Sequence, residues 1–223
     1  GVIIASDHQS GELFPQGVTI VTYTATDVAG NTVSGSFTIR VNDSQPPTIT
    51  GLSAVINAKT EVGTCAANIN LGTPVTADNC GIKTVTNNGS GSYPVGTTVV
   101  TWTVTDIHDN ETKFVQTVIV TDTELPTILA PSNIIVNTDA GSCAATNVIL
   151  GNASTSDNCG VNTATNNAPA SYPVGVTTVL WTVTDIHGNI NTANQTVTVV
   201  DTEKPHIKAP EPFRSVNDPG GCG

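Results

Sequence analysis

One stretch of this chain occurs three times, and it constrains the fold more tightly than any other feature. The central copy opens with Tyr93-Pro94-Val95-Gly96, continues through Val99-Val100-Thr101-Trp102-Thr103-Val104-Thr105 and closes with Asp106-Ile107-His108-Asp109-Asn110. The same order returns as Tyr172-Pro173-Val174-Gly175, Val179-Leu180-Trp181-Thr182-Val183-Thr184 and Asp185-Ile186-His187-Gly188-Asn189. It is preceded by Phe14-Pro15-Gln16-Gly17, Val21-Thr22-Tyr23-Thr24-Ala25-Thr26 and Asp27-Val28-Ala29-Gly30-Asn31. The offset is 79 residues in both directions, as Asp27, Asp106 and Asp185 show. A fixed period of self-similarity means one folding unit made in tandem. It overrides the one or two domains that 223 residues would suggest by length.

The period divides the chain into the C-terminal part of a repeat (1–43), two full repeats (44–123 and 124–202) and the start of a further repeat (203–223). An opening part-way through a repeat predicts a piece of a longer polypeptide, so the question of an export signal stays open. Within each unit, apolar and threonine residues alternate with period 2, as at Val21-Thr22-Tyr23-Thr24-Ala25-Thr26, which is the pattern of half-buried strands. Strands are expected near Ile49 and over 53–57, 68–71, 82–86, 98–105 and 114–120, with Ile134-Ile135-Val136 opening the second full repeat. Helical spacing is absent. Short β-runs separated by turn signals predict an all-β architecture: tandem immunoglobulin-like β-sandwiches of about seven strands, strung into an elongated rod. Asp43-Ser44-Gln45-Pro46-Pro47, Asp122-Thr123-Glu124-Leu125-Pro126 and Asp201-Thr202-Glu203-Lys204-Pro205 mark short, proline-stiffened junctions.

With 7 Lys plus Arg against 18 Asp plus Glu, the net charge of −11 argues against nucleic acid and anionic lipid as partners. No apolar run is long enough to cross a bilayer as a helix, so direct membrane insertion is not expected. Aromatic residues make up 4% of the chain, so each unit must close a thin aliphatic core around roughly one large ring.

The cysteines follow the period: Cys65 maps onto Cys143 at 78 residues, Cys143 onto Cys222 at 79, and Cys80 onto Cys159 at 79. The pairing expected from this layout is a disulfide inside each full repeat, Cys65 with Cys80 and Cys143 with Cys159. Closing a loop of that size is worth about 3 kcal/mol in the chain-entropy model and implies an oxidising compartment. Zinc is the competing reading, although neither a CxxC nor a paired histidine accompanies the thiols.

Gly-Ser-Cys-Ala-Ala (141–145), Ser-Asp-Asn-Cys-Gly (156–160), Tyr-Pro-Val-Gly (172–175), Trp-Thr-Val-Thr-Asp (181–185) and Val-Val-Asp-Thr-Glu-Lys-Pro (199–205) together resemble the HYR (hyalin) repeat. More narrowly, they resemble its cysteine-bearing form in large surface proteins of Bacteroidetes-type bacteria. The resemblance implies an immunoglobulin-like β-sandwich and a stalk or adhesion role in a secreted cell-surface protein. In such bacteria that includes adhesins of gliding motility exported by the type IX system. It supplies no catalytic residues, and no enzyme activity is expected. The alternative is an accessory spacer or carbohydrate-binding region of a secreted multidomain enzyme. The expected partners are neighbouring repeats, and beyond them surface glycans or other surface and secretion proteins.

No cofactor is required by this reading. The calcium candidates are the junction carboxylates Asp43, Asp122, Glu124, Asp201 and Glu203, because hard cations take several oxygens. Asp27, Asp106 and Asp185, each followed four residues later by Asn, read as turn-openers that accept their own backbone N–H groups. His108 and His187 read as exposed loop residues. The threonine rows (Thr101, Thr103, Thr105, Thr182, Thr184) read as ordinary outer-face β residues.

Overall fold

The computed structural model describes residues 1–213 and 219–220. All of its regular elements are strands. The partial repeat forms one antiparallel sheet, β1 (Ile3–Ser6), β2 (Gly17–Thr26) and β3 (Thr32–Val41), in the order β1-β2-β3. The first full repeat has β4 (Thr48–Thr50), β5 (Val55–Lys59), β6 (Ala66–Asn68), β7 (Val75–Ala77), β8 (Ile82–Asn87), β9 (Ser92–Pro94), β10 (Gly96–Asp106) and β11 (Glu111–Thr121). The second has β12 (Thr127–Leu129), β13 (Ile134–Asn137), β14 (Ala144–Thr146), β15 (Ser154–Ser156), β16 (Val161–Asn166), β17 (Ser171–Pro173), β18 (Gly175–Asp185) and β19 (Ile190–Val200).

Each full repeat has one four-stranded sheet, β5-β11-β10-β8 or β13-β19-β18-β16, and two two-stranded ribbons, β4-β7 with β6-β9 or β12-β15 with β14-β17. The first strand of each large sheet runs parallel to its neighbour and the others are antiparallel. Alternation along the long strands turns Val100, Trp102, Val104 and Asp106 inward, and likewise Gln116, Val118 and Val120. The core of the first full repeat is Ala67, Tyr93, Val100, Trp102, Val118 and Val120, with Ile49, Leu52 and Phe114 packed around it. In the second it is Ala145, Tyr172, Val179, Trp181, Val197 and Val199. Each core therefore closes around two large rings, Trp102 with Tyr93 and Trp181 with Tyr172, where composition alone suggested roughly one.

The eight strands of a full repeat exceed the seven expected. The expected strand at 68–71 lies at Ala66–Asn68, and Val75–Ala77 and Ser92–Pro94 were not anticipated. Three residues are too few to display alternation, and a terminal proline disguises β9 and β17. Proline is tolerated there because each ribbon offers an unpaired edge. The two junction prolines Pro47 and Pro126 are buried within their own repeats.

The Tyr-Pro-Val-Gly motif has a direct physical basis. Its tyrosine fills the core, and its glycine opens the long strand with a positive φ, 115° at Gly96 and 110° at Gly175. A Cβ at Gly96 would meet no atom within 4 Å, so a substitution there is strained by the backbone alone. Gly96→Ala is expected to destabilise the first full repeat by about 1–2 kcal/mol, read from its urea midpoint.

Candidate functional site

In each full repeat the recurring polar residues gather where the long strand β10 or β18 ends. Asp106 Oδ1 accepts the N–H groups of His108 (2.8 Å) and Asn110 (2.9 Å), and its Oδ2 accepts Asn110 Nδ2 (2.7 Å). Asp185 does the same with His187 and Asn189 at 2.8, 2.8 and 2.7 Å. Asp27 holds Ala29 and Asn31 in the partial repeat. The periodic Asp and Asn are thus a turn lock.

A second turn lies beside the first. Asp78 Oδ2 accepts the N–H groups of Cys80 (2.7 Å) and Gly81 (3.0 Å), and Asp157 Oδ2 those of Cys159 (2.8 Å) and Gly160 (3.0 Å). The junction aspartates complete the group. Asp43 accepts Gln45 N–H (3.1 Å) and contacts His108 Nδ1 at 3.2 Å, while Asp122 accepts Glu124 N–H (3.1 Å) and contacts His187 Nδ1 at 3.2 Å. Three motifs distant in sequence therefore meet. Asp43, Asp78 and Asp106 can each bring one oxygen within 4.8 Å of the others, as can Asp122, Asp157 and Asp185. Asp43, Cys80 and His108 form a second such set, and so do Asp122, Cys159 and His187.

The electrostatics are those of a crowded anionic site. Burial pushes the carboxyl groups of Asp106 and Asp185 up, but the side-chain and backbone hydrogen bonds of Asn110 and Asn189 outweigh it and hold both below the ordinary carboxylate value. The Gln45 N–H chiefly holds Asp43 down, and burial pushes the Cys80 thiol up. Asp78 Oδ1 and Asp157 Oδ1 are buried without a hydrogen-bond partner. A depressed carboxyl pKa gives stability that is present above the unfolded value, about 3.9, and lost as pH falls through the folded one. Melting temperature is expected to hold steady from neutrality down to about pH 4 and to fall below it. Asp185→Asn is expected to flatten the acid limb of the second full repeat, measured by circular dichroism across a pH series.

The junction glutamates do not join these sets. Glu124 Oε2 accepts Gly63 N–H (2.9 Å) and Glu203 Oε2 accepts Gly141 N–H (2.7 Å), while Asp201 Oδ1 caps Glu203 N–H (2.9 Å). Of the carboxylates singled out from sequence, Asp43 and Asp122 enter a cluster. The members that sequence reading missed are Asp78 and Asp157, although Asp-Asn-Cys-Gly recurs at the 79-residue offset and was a usable signal. The two histidines are hydrogen-bonded to aspartate rather than idle in a loop, with His108 half-buried and His187 exposed.

The cysteine expectation is corrected. Cys65 and Cys159 are disulfide-bonded, whereas Cys80 and Cys143 are free thiols, so neither pair expected within a repeat forms. The reason is geometric. Cys65 O accepts Val95 N–H at the start of β10, and Gly81, next to Cys80, accepts Ile107 N–H just past its end. Eleven residues of strand separate these points, roughly 35 Å at about 3.3 Å per residue, against a Cα separation of about 7 Å at most for a disulfide. Cys143 and Cys159 are held apart in the same way along β18 through Val174 and Ile186. Cys222 lies outside the described residues.

Gln116 and Gln195 are buried polar residues committed to structure, and sequence reading passed over them. Both are 0% exposed. Gln116 Oε1 accepts Trp102 Nε1–H (3.1 Å), and its Nε2 donates to Ser53 O (2.9 Å) and Leu71 O (3.1 Å). Gln195 repeats this with Trp181 (3.0 Å), Ser132 (2.8 Å) and Leu150 (3.0 Å). In the partial repeat both members change together: Tyr23 stands for the tryptophan and Phe37 for the glutamine, and their rings stack at 6.1 Å.

The HYR domain matches residues 1–41, 42–120 and 121–199, three successive copies. The chain belongs to the HYR domain family. Among curated proteins it is 39% identical over 145 residues to hyalin of Lytechinus variegatus, a match covering 61% of this chain and 27% of that protein. It is 38% identical over 141 residues to hyalin of Strongylocentrotus purpuratus, covering 60% of this chain and 12% of that protein. The match thus spans well under a third of either hyalin. Among solved structures, Drosophila N-cadherin EC1-3 matches at 12% identity and a TM-score of 0.33, covering 86% of this chain and 80% of that one. Mouse cadherin-23 EC22-24 matches at 14% identity and a TM-score of 0.33, covering 82% and 74%. No helix among the described residues is long and apolar enough to cross a membrane.

Proposed function

We propose that this chain is a stretch of a secreted cell-surface protein in which HYR repeats provide length and mechanical continuity for adhesion, without catalysis. The observation that carries this reading is the use made of the periodic polar residues. Asp106, Asp185, Gln116 and Gln195, all buried, are spent on locking turns and loops of their own repeat. A repeated unit whose buried chemistry is structural suits a stalk, in which stability approximates a sum over units and their interfaces. Weak contacts along such a stalk with surface glycans or other surface proteins would gain from repetition rather than from any one site. The assignment to a bacterial gliding adhesin exported by the type IX system rests on the motif set at 141–205 alone. Deleting residues 44–202 from the protein on its own cells is the test: loss of surface attachment is expected, and attachment at the undeleted level would contradict the proposal.

We propose in addition that the aspartate clusters take calcium. The carboxylate set is available in both repeats, whereas the sulfur of Cys159 is already committed to a disulfide, so oxygen ligands are the shared chemistry. The orphaned oxygens of Asp78 and Asp157 are where a cation would relieve the crowding. Calcium at about tenfold over its Kd is expected to add about 1.4 kcal/mol, raising the melting temperature by several degrees. That rise should vanish in Asp78→Ala with Asp157→Ala; a wild-type melting temperature indifferent to calcium would contradict the site.

A further inference from the structure

Each full repeat carries one cysteine at each end of its long central strand, too far apart to meet, and this holds for bonded and free cysteines alike. The free thiols are the repeat equivalents of the bonded ones: Cys143 corresponds to Cys65, and Cys80 to Cys159. Their settings correspond as well. Cys143 O accepts Val174 N–H at 3.2 Å as Cys65 O accepts Val95 N–H at 3.4 Å, and both lead into an Ala-Ala step on a two-stranded ribbon. Cys80 N–H is held by Asp78 at 2.7 Å as Cys159 N–H is by Asp157 at 2.8 Å. Asn79 Nδ2 lies 3.3 Å from Cys80 Sγ as Asn158 Nδ2 lies 3.7 Å from Cys159 Sγ. Cys143 is exposed and borders an open hollow of about 280 Å³ lined by Gly141, Ser142, Asp201 and Glu203.

We propose that Cys80 and Cys143 are half-cystines of the same kind, each joined to the complementary cysteine of a further HYR module. Cys65 and Cys159 show that each kind of turn supplies a half-cystine, and complementary here means one cysteine of each kind. Cys143, in Gly-Ser-Cys-Ala-Ala, takes a cysteine from an Asp-Asn-Cys-Gly turn, and Cys80, in Asp-Asn-Cys-Gly, takes one from a Gly-x-Cys-Ala-Ala turn. The further module is a repeat of the same polypeptide or a second copy of this chain. The bond forms by exchange: one thiolate attacks a disulfide oxidant, small-molecule or protein, and releases one of its thiols. The second cysteine thiolate then displaces the other. Two cysteine thiols lose two protons and two electrons in all, and the oxidant disulfide becomes two thiols.

The test is disulfide mapping of the protein from its own source. Unreduced protein is denatured in guanidinium chloride, so that burial cannot shield Cys80, and treated with N-ethylmaleimide before digestion and mass spectrometry. Peptides holding Cys80 and Cys143 should be unlabelled before reduction and labelled after it, each cross-linked to a peptide bearing the complementary turn. A cross-linked half found elsewhere in the same polypeptide assigns a flanking module. A Cys143 to Cys80 link in a covalent dimer, seen on a non-reducing gel, assigns a second copy. Labelling of both cysteines before reduction overturns the proposal, as does a link of Cys143 to Cys222 or of Cys80 to Cys65.

Discussion

Gln116→Leu is expected to destabilise the first full repeat by about 3 kcal/mol or more, although leucine nearly matches glutamine in volume and is more apolar. The substitution leaves the buried Trp102 indole N–H and the part-buried carbonyls of Ser53 and Leu71 without their partner. Each abandoned buried group costs about 1–3 kcal/mol, and the gain from burying leucine offsets only part of the sum. Urea unfolding followed by tryptophan fluorescence reads the shift. A loss below about 1 kcal/mol would mean that the three hydrogen bonds are not made in solution. Gln195→Leu should behave alike in the second full repeat.

Trp181→Ala is expected to cost the second full repeat about 4 kcal/mol, the range for deleting a large buried ring. A domain of this size has about 4–12 kcal/mol to lose, so much of the second repeat's stability should go. The indole is 6% exposed among Ala145, Tyr172, Val179, Val197 and Val199, so few other side chains are placed to fill the space. Its removal also strips Gln195 Oε1 of its donor. Trp181→Phe separates the two contributions, because it keeps most of the ring and discards the hydrogen bond. It should fall between wild type and alanine. Calorimetry of the whole chain resolves the second repeat's transition in each variant.

The sequence exposed some layers of this molecule and hid others, for physical reasons. The long strands were legible at 98–105 and 114–120, and the structure extends them to Gly96–Asp106 and Glu111–Thr121. Eleven residues leave room for alternation to declare itself, whereas three-residue ribbon strands do not. The periodic aspartates were legible as turn locks because Asp to Asn at four residues is a local bond. The cluster around them was not, because it joins residues up to 65 apart, such as Asp43 and His108. Cys65 and Cys80 seemed natural partners because they are close in sequence, but β10 carries their ends of the sandwich far apart. Gln116 was missed because a polar residue in a strand is ordinarily read as facing water. The joint change from Trp and Gln to Tyr23 and Phe37 in the partial copy was the available sign that the two positions touch.

The central claim is that these repeats resist force as folded units, and pulling single molecules of the chain by its ends in reducing buffer tests it most directly. The account predicts separate force peaks for the two full repeats, each releasing about 25 nm of contour: 79 residues extend to about 28 nm at about 3.6 Å per residue, less the roughly 3.5 nm that the folded unit already spans. A smooth extension with no force peak, as a chain without independently folded repeats would give, would contradict it.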